Sequence, residues 1–92
     1  MFMDVHPGRV LKDEMDARGL SGEALALKLR VSPQQIEGLI AGEQSMTPDV
    51  ALRLARHFGT SAQFWMDLQS ARDLAAAEAE HGARIAAEVE AA

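Results

Sequence analysis

The absences in this 92-residue chain narrow its chemistry before any motif is read. There is no cysteine, which excludes a disulfide framework and a thiolate-ligated zinc. There is no tyrosine, and only one tryptophan and three phenylalanines, so the core must be assembled mainly from Leu, Ala, Val, Ile and Met. His6, His57 and His81 lie far apart with no ligand-spaced partner, and no metal or other cofactor is expected. No Ser/His/Asp order and no glycine-rich phosphate loop occurs, so no nucleophile is supplied with a base and no enzyme is expected. Asp13/Glu14 and Glu78/Glu80 read as solvated helix faces rather than carboxylate dyads. No stretch approaches a membrane span, and Met1-Phe2-Met3-Asp4-Val5 lacks the basic region and apolar run of a secretory leader. The expectation is a soluble, cytoplasmic, single-domain protein with no membrane partner.

Cations are also scarce: nine Lys and Arg face fourteen Asp and Glu, for a net charge of −5. That balance weighs against nucleic-acid binding, where affinity for phosphate is mostly cationic. The distribution changes the picture. Residues 20–59 carry Lys28, Arg30, Arg53 and Arg56 against Glu23, Glu37, Glu43 and Asp49, a net of zero. Residues 60–92 carry two cations against six acids, so the acidity sits mainly in the tail.

What is abundant is helix punctuation. His6-Pro7-Gly8 opens a periodic stretch through Val10, Leu11 and Met15 that stops at Gly19. Ser21 caps a second helix with Leu25, Ala26 and Leu29 on its core face, although Ala24 at the third position after the cap prevents a full capping box. Ser32-Pro33 starts a third helix with Ile36, Leu39 and Ile40 inward, and Gly42 ends it. Thr47-Pro48 starts a fourth, with Val50, Leu54 and Phe58 four residues apart, closed by Gly59. Ser61 caps a fifth with an apolar stripe of Phe64, Trp65, Leu68, Ala71, Leu74 and Ala75. Nothing alternates like a strand. Beyond residue 74 the chain turns Ala- and Glu-rich; Ala75–Ala92 is expected to continue as helix, with a break at Gly82, or to fray. The expected architecture is therefore all-α: a five-helix domain over 1–74 and a C-terminal helical extension over 75–92.

Function concentrates between Leu20 and Phe58. The second and third helices are separated only by Arg30-Val31-Ser32, a link so short that it forces a sharp crossing, as in a helix-turn-helix. Ala26 is expected where the two helices approach closely, and Val31 as a plug in the corner. The corner presents Ser32, Pro33, Gln34, Gln35 and Gly38 as an outward edge. Gln can make two hydrogen bonds to adenine in the major groove, Ser can reach a phosphate or base edge, and helix N-terminal amides favour phosphate.

The stretch from Leu20-Ser21-Gly22-Glu23-Ala24-Leu25-Ala26 through Val31-Ser32 to Ile36 and Gly42 resembles the Cro/XRE helix-turn-helix family, whose fold is lambda repressor-like. More narrowly, His6-Pro7-Gly8, Ala51-Leu52-Arg53-Leu54-Ala55-Arg56, Phe58-Gly59-Thr60-Ser61 and Phe64-Trp65-Met66-Asp67-Leu68-Gln69 resemble the HigA branch of toxin–antitoxin antidotes, over residues 5–74. The resemblance implies a dimer that represses its own operon on palindromic operator DNA. It also implies neutralisation of a cognate toxin, typically a small RelE-like ribonuclease. Carried over by position, Ser32, Pro33, Gln34, Gln35 and Gly38 match the base-facing edge, and Gln44 and Ser45 match the loop that touches the DNA backbone. Lys28 and Arg30 complete the expected DNA-contact set.

Three departures from the family pattern affect that expectation. Arg30 stands where a turn glycine is usual, which means strain if the position needs positive φ, and which also places a cation that can face a phosphate. Gly22 replaces a polar side chain that often reaches a phosphate. Ala41-Gly42-Glu43-Gln44 replaces the usual Asn-Gly followed by a cation. The alternative reading is thus a protein-binding antidote whose degenerate helix-turn-helix no longer reads DNA. Finally, Phe64, Trp65 and Met66 are consecutive, and a helix cannot bury all three on one side. Phe64, Trp65 and Leu68 are the expected dimer interface, since reading two half-sites requires a dimer. The other reading of Trp65, as cover for the domain's own core, stays open.

Overall fold

The computed structural model describes residues 6–92, so the expectation placed on Met1–Val5 lies outside it. Five helices follow one another: α1 (Pro7–Ala17), α2 (Gly22–Leu29), α3 (Pro33–Ala41), α4 (Pro48–Phe58) and α5 (Ala62–Glu88), with no strand among the described residues. Each begins where a short polar side chain can satisfy an orphan amide. Ser21 accepts from the Ala24 amide, Ser32 from Gln35, Thr47 from Val50 and Ser61 from Phe64. The Nδ1 of His6 does the same for the Gly8 amide at 3.1 Å. A cap of the Ser or Thr kind contributes about 1 kcal/mol. Pro7, Pro33 and Pro48 occupy first-turn positions, where their missing N–H is not needed. Gly42 and Gly59 end α3 and α4 in left-handed backbone, with φ 75° and 76°.

The core follows the periodicity of the first four helices, with Met46 and Ala51 added; of the apolar stripe expected on the fifth, only Trp65 is buried, while Phe64, Ala71, Leu74 and Ala75 are exposed. Leu11, Met15, Leu25, Ala26, Leu29, Ile36, Leu39, Met46, Val50, Ala51, Leu54 and Trp65 form a single buried cluster. Ala26, only 1% exposed, lies inside this cluster, and Val31 packs half-buried against it. α1 lies across α3, and Gly8 explains how closely: a Cβ there would stand 1.9 Å from the Leu39 carbonyl oxygen, so only glycine lets the two backbones meet.

α5 corrects one expectation. It passes through Gly82 without a break, and through the 74/75 boundary as well. Gly costs about 1 kcal/mol relative to Ala inside a helix, too little to stop one flanked by Ala and Glu. At 27 residues α5 is about 40 Å long and accounts for most of the molecule's 50 Å long axis. Its buried residues are Trp65 and Gln69, both in its first half.

Candidate nucleic-acid interface

The corner between α2 and α3 consists of Arg30, Val31 and Ser32 alone. Arg30 closes α2 with φ 60° and ψ 46°, the one non-glycine residue of the described chain with positive φ, and its amide donates to the Ala26 carbonyl. The anticipated strain is therefore present, at about 1–2 kcal/mol for left-handed backbone with a Cβ. The turn brings the N-terminus of α3 to the surface. Ser32 and Gln34 are exposed, while Pro33 and Gln35 are half-buried.

Ser32 and Gln35 are bound to each other rather than free. The Gln35 amide donates to Ser32 Oγ at 3.1 Å, and the Ser32 amide donates to Gln35 Oε1 at 3.0 Å, a reciprocal capping box. Within this edge Gln34 is left as the glutamine with an unengaged side chain. Glu37, three residues on and also exposed, shares its face; a carboxylate there can accept from a cytosine amino group. Sequence reasoning passes over Glu37, although its i,i+3 spacing from Gln34 is visible there.

Gly38 corrects the expected edge. It is buried, because the Gln44 side chain lies over it: a Cβ at Gly38 would come within 2.8 Å of Gln44 Cγ and Cδ. The carbonyl of Gly38 also accepts from the Glu43 and Gln44 amides. Gly38 is thus a seat for the loop after α3, not a contact surface. Gln44 and Ser45 themselves are exposed, as are Lys28 and Arg30.

That loop is held from a distance. The buried Gln69 of α5 accepts the Met46 amide on Oε1 at 2.6 Å, and its Nε2 donates to Asp73 Oδ1 at 2.9 Å. Gln69 therefore sets the end of the segment that carries Gln44 and Ser45. Arg53 does a similar task for α2. Its Nη1 donates to the Leu29 carbonyl at 2.9 Å, and its Nε donates to Asp49 at 2.8 Å. The guanidinium so placed offsets the negative end of the α2 dipole. Neither role is signalled by local sequence, since the partners lie 23 and 24 residues away.

Trp65 is a correction of the expected dimer interface. It is 0% exposed, and its indole Nε1 donates to Thr60 Oγ1 at 2.9 Å, so its surface is spent inside its own chain. Phe64 stands edge-on to it at 5.2 Å between ring centroids and keeps 41% exposure, while Leu68 is half-buried against the core. The consecutive trio is divided as helix geometry demands, with Trp65 inside and Phe64 outside.

Known proteins share this geometry. The helix-turn-helix family matches residues 11–65. A HigA-family addiction-module antidote from Coxiella burnetii superimposes with TM-score 0.94 at 35% identity, covering 99% of this chain and 100% of that one. The antitoxin HigA of Pseudomonas aeruginosa, solved with the higBA promoter, superimposes with TM-score 0.92 at 42% identity, covering 96% and 97%. Virulence-associated protein I of Dichelobacter nodosus is 45% identical over 75 residues, 80% of this chain and 69% of that protein. A match over more than half the chain, with near-complete structural correspondence to HigA proteins, places it: the chain belongs to the HigA antitoxin branch of the helix-turn-helix family.

Proposed function

We propose that this protein is an antitoxin that represses its own operon by binding operator DNA as a dimer, and that it neutralises a cognate toxin, a RelE-like ribonuclease. Operator binding sets its working compartment as the cytoplasm. The observation that carries the DNA half is the three-residue corner, which lifts the Ser32–Gln35 edge of α3 clear of the core with Gln34 exposed and unengaged. Further support comes from the 42% identical P. aeruginosa HigA, whose structure contains its promoter. Within the edge the roles differ. Gln34 is positioned to read a base, Ser32 and Gln35 hold the helix start in shape, and the first-turn amides favour a phosphate. Phe64 and Leu68, without Trp65, supply the apolar part of a dimer contact.

A mobility-shift assay with duplex from upstream of the gene tests this reading. Specific binding that weakens steeply with salt is expected. Gln34→Ala should cost about 1–3 kcal/mol on that duplex and leave thermal unfolding unchanged. Equal losses on upstream and random duplex would show that Gln34 reads no base. For the toxin half, co-expression with the product of an adjacent gene should restore growth if that product is a small ribonuclease.

A second reading is favoured by one observation. The loop after α3, Gly42-Glu43-Gln44-Ser45, presents an acid and no cation where the backbone would be touched. On that reading the chain is an antidote that binds protein only, and upstream duplex would bind no better than random sequence.

A further inference from the structure

The four cations of residues 20–59 are not scattered over the domain. Lys28, Arg30, Arg53 and Arg56 all line one open groove of about 600 Å³ between the C-terminal end of α2 and the outer face of α4. Of the four acids in the same stretch, only Asp49 joins them, and it is tied to Arg53. A segment that is neutral in sum is therefore strongly polarised in space. Arg53 is occupied by Asp49 and by the Leu29 carbonyl. Lys28, Arg30 and Arg56 are exposed and pair with no acid among the described residues.

We propose that this groove is the protein's phosphate-backbone contact, seating the DNA strand that flanks the major groove entered by α3. Arg30 makes the link. It stands two residues before Ser32, so the rim of the groove runs directly into the edge that carries Gln34. It also holds strained left-handed backbone, where glycine would be relaxed, and puts a cation beside the recognition edge. The loop after α3 carries no cation, so charge for backbone contact must come from elsewhere, and this groove gathers every cation between residues 20 and 59. An anionic duplex matches a cleft lined by four cations and a single acid, itself paired to Arg53. A second copy's acidic tail or an acidic protein would match the charge too, but neither explains continuity with the recognition edge.

The inference rests on the DNA-binding reading above, and the experiment separates the two. Fluorescence anisotropy on the full chain, with upstream and random duplexes over a salt series, gives the slope of log affinity against log salt. Removing one cation that neutralises a phosphate should lower that slope by about 0.9, so Lys28→Gln with Arg56→Gln should lower it by about 1.8 on both duplexes. The ratio between the duplexes should stay constant. Arg56→Lys keeps the charge and should keep the slope, and Arg84→Gln, on the distal half of α5, should leave it untouched. An unchanged slope in the double variant, with wild-type thermal unfolding, overturns the groove and leaves the operator reading standing. A loss confined to the upstream duplex also overturns it, because Lys28 and Arg56 would then read bases. A wild-type protein that binds neither duplex overturns both readings. Should the double variant unfold, the two single variants carry the same measurement with an expected drop of about 0.9 each.

Discussion

The two halves of α5 share a helix and little else. In the first, Trp65 is sealed into the core and Gln69 reaches across to Met46. In the second, together with the short segment that follows it, every residue from Asp73 to Glu80 is exposed, as is every one from Ala83 to Ala92, with Leu74, Ile85 and Val89 at 61%, 49% and 65%. The first half is stabilised by burial. The second half holds its helix by propensity, because eight of the helix's last eighteen residues are Ala. The contrast separates what supports the recognition edge from what is left over for partners. It also locates acidity: the exposed arm carries Glu78, Glu80, Glu88 and Glu90, while the cations of residues 20–59 face a groove on the body.

The sharpest way to break this contrast is at its two apolar positions. Trp65→Ala should cost about 4 kcal/mol in urea unfolding, as removing a fully buried large side chain does. Leu74→Ala should change stability by less than about 0.5 kcal/mol, as exposed substitutions do. Comparable losses at both positions would mean that the arm packs against something in solution. Next in size is Gln69→Ala. It strips the Met46 amide of its buried acceptor, for which a loss of about 2 kcal/mol is expected. Faster hydrogen exchange at Met46, with exchange in α1 unchanged, would separate release of the loop from general loosening.

Most of the helical frame was legible because its punctuation is local. Ser21, Ser32, Thr47 and Ser61 each bond an amide three residues on, so cap and partner sit in one short window. The Ser32/Gln35 capping box was equally local, yet Gln35 read as a base contact because the same side chain suits both tasks. Trp65 was not legible. Three consecutive bulky residues leave open which one faces inward, and the answer depends on how far α5 is rotated against α4. Gly38 escaped for a similar reason, since Gln44 arrives over it from a loop whose path is set by Gln69. The motif residues that carry the family resemblance gain a physical meaning here: Gly8 permits backbone contact, Thr60 satisfies the Trp65 indole, and Gln69 anchors the loop.

A smaller effect of opposite sign is expected at the corner. Arg30→Gly should raise stability by about 1 kcal/mol, because glycine adopts left-handed backbone without steric cost. The same change removes a cation from the groove rim, so stability and DNA affinity should move in opposite directions. A variant that is less stable than wild type would show that the arginine side chain contributes packing that outweighs its backbone strain.

The smallest effect belongs to the arm, and it tests whether the arm behaves as a separate unit. A Cβ at Gly82 would meet only Glu78 Cβ, at 3.9 Å, which is ordinary contact. Gly82→Ala should therefore favour the local helix by about 1 kcal/mol with nothing to oppose it. Hydrogen-exchange protection around residue 82 should rise by about fivefold, the equivalent of that energy. The main thermal transition should not move, since none of the arm's side chains joins the buried cluster whose loss defines that transition. A clear rise in the main transition would join arm and body into one cooperative unit. In that case the arm would have to be packed in solution, and the exposed Leu74, Ile85 and Val89 would be the residues doing the packing.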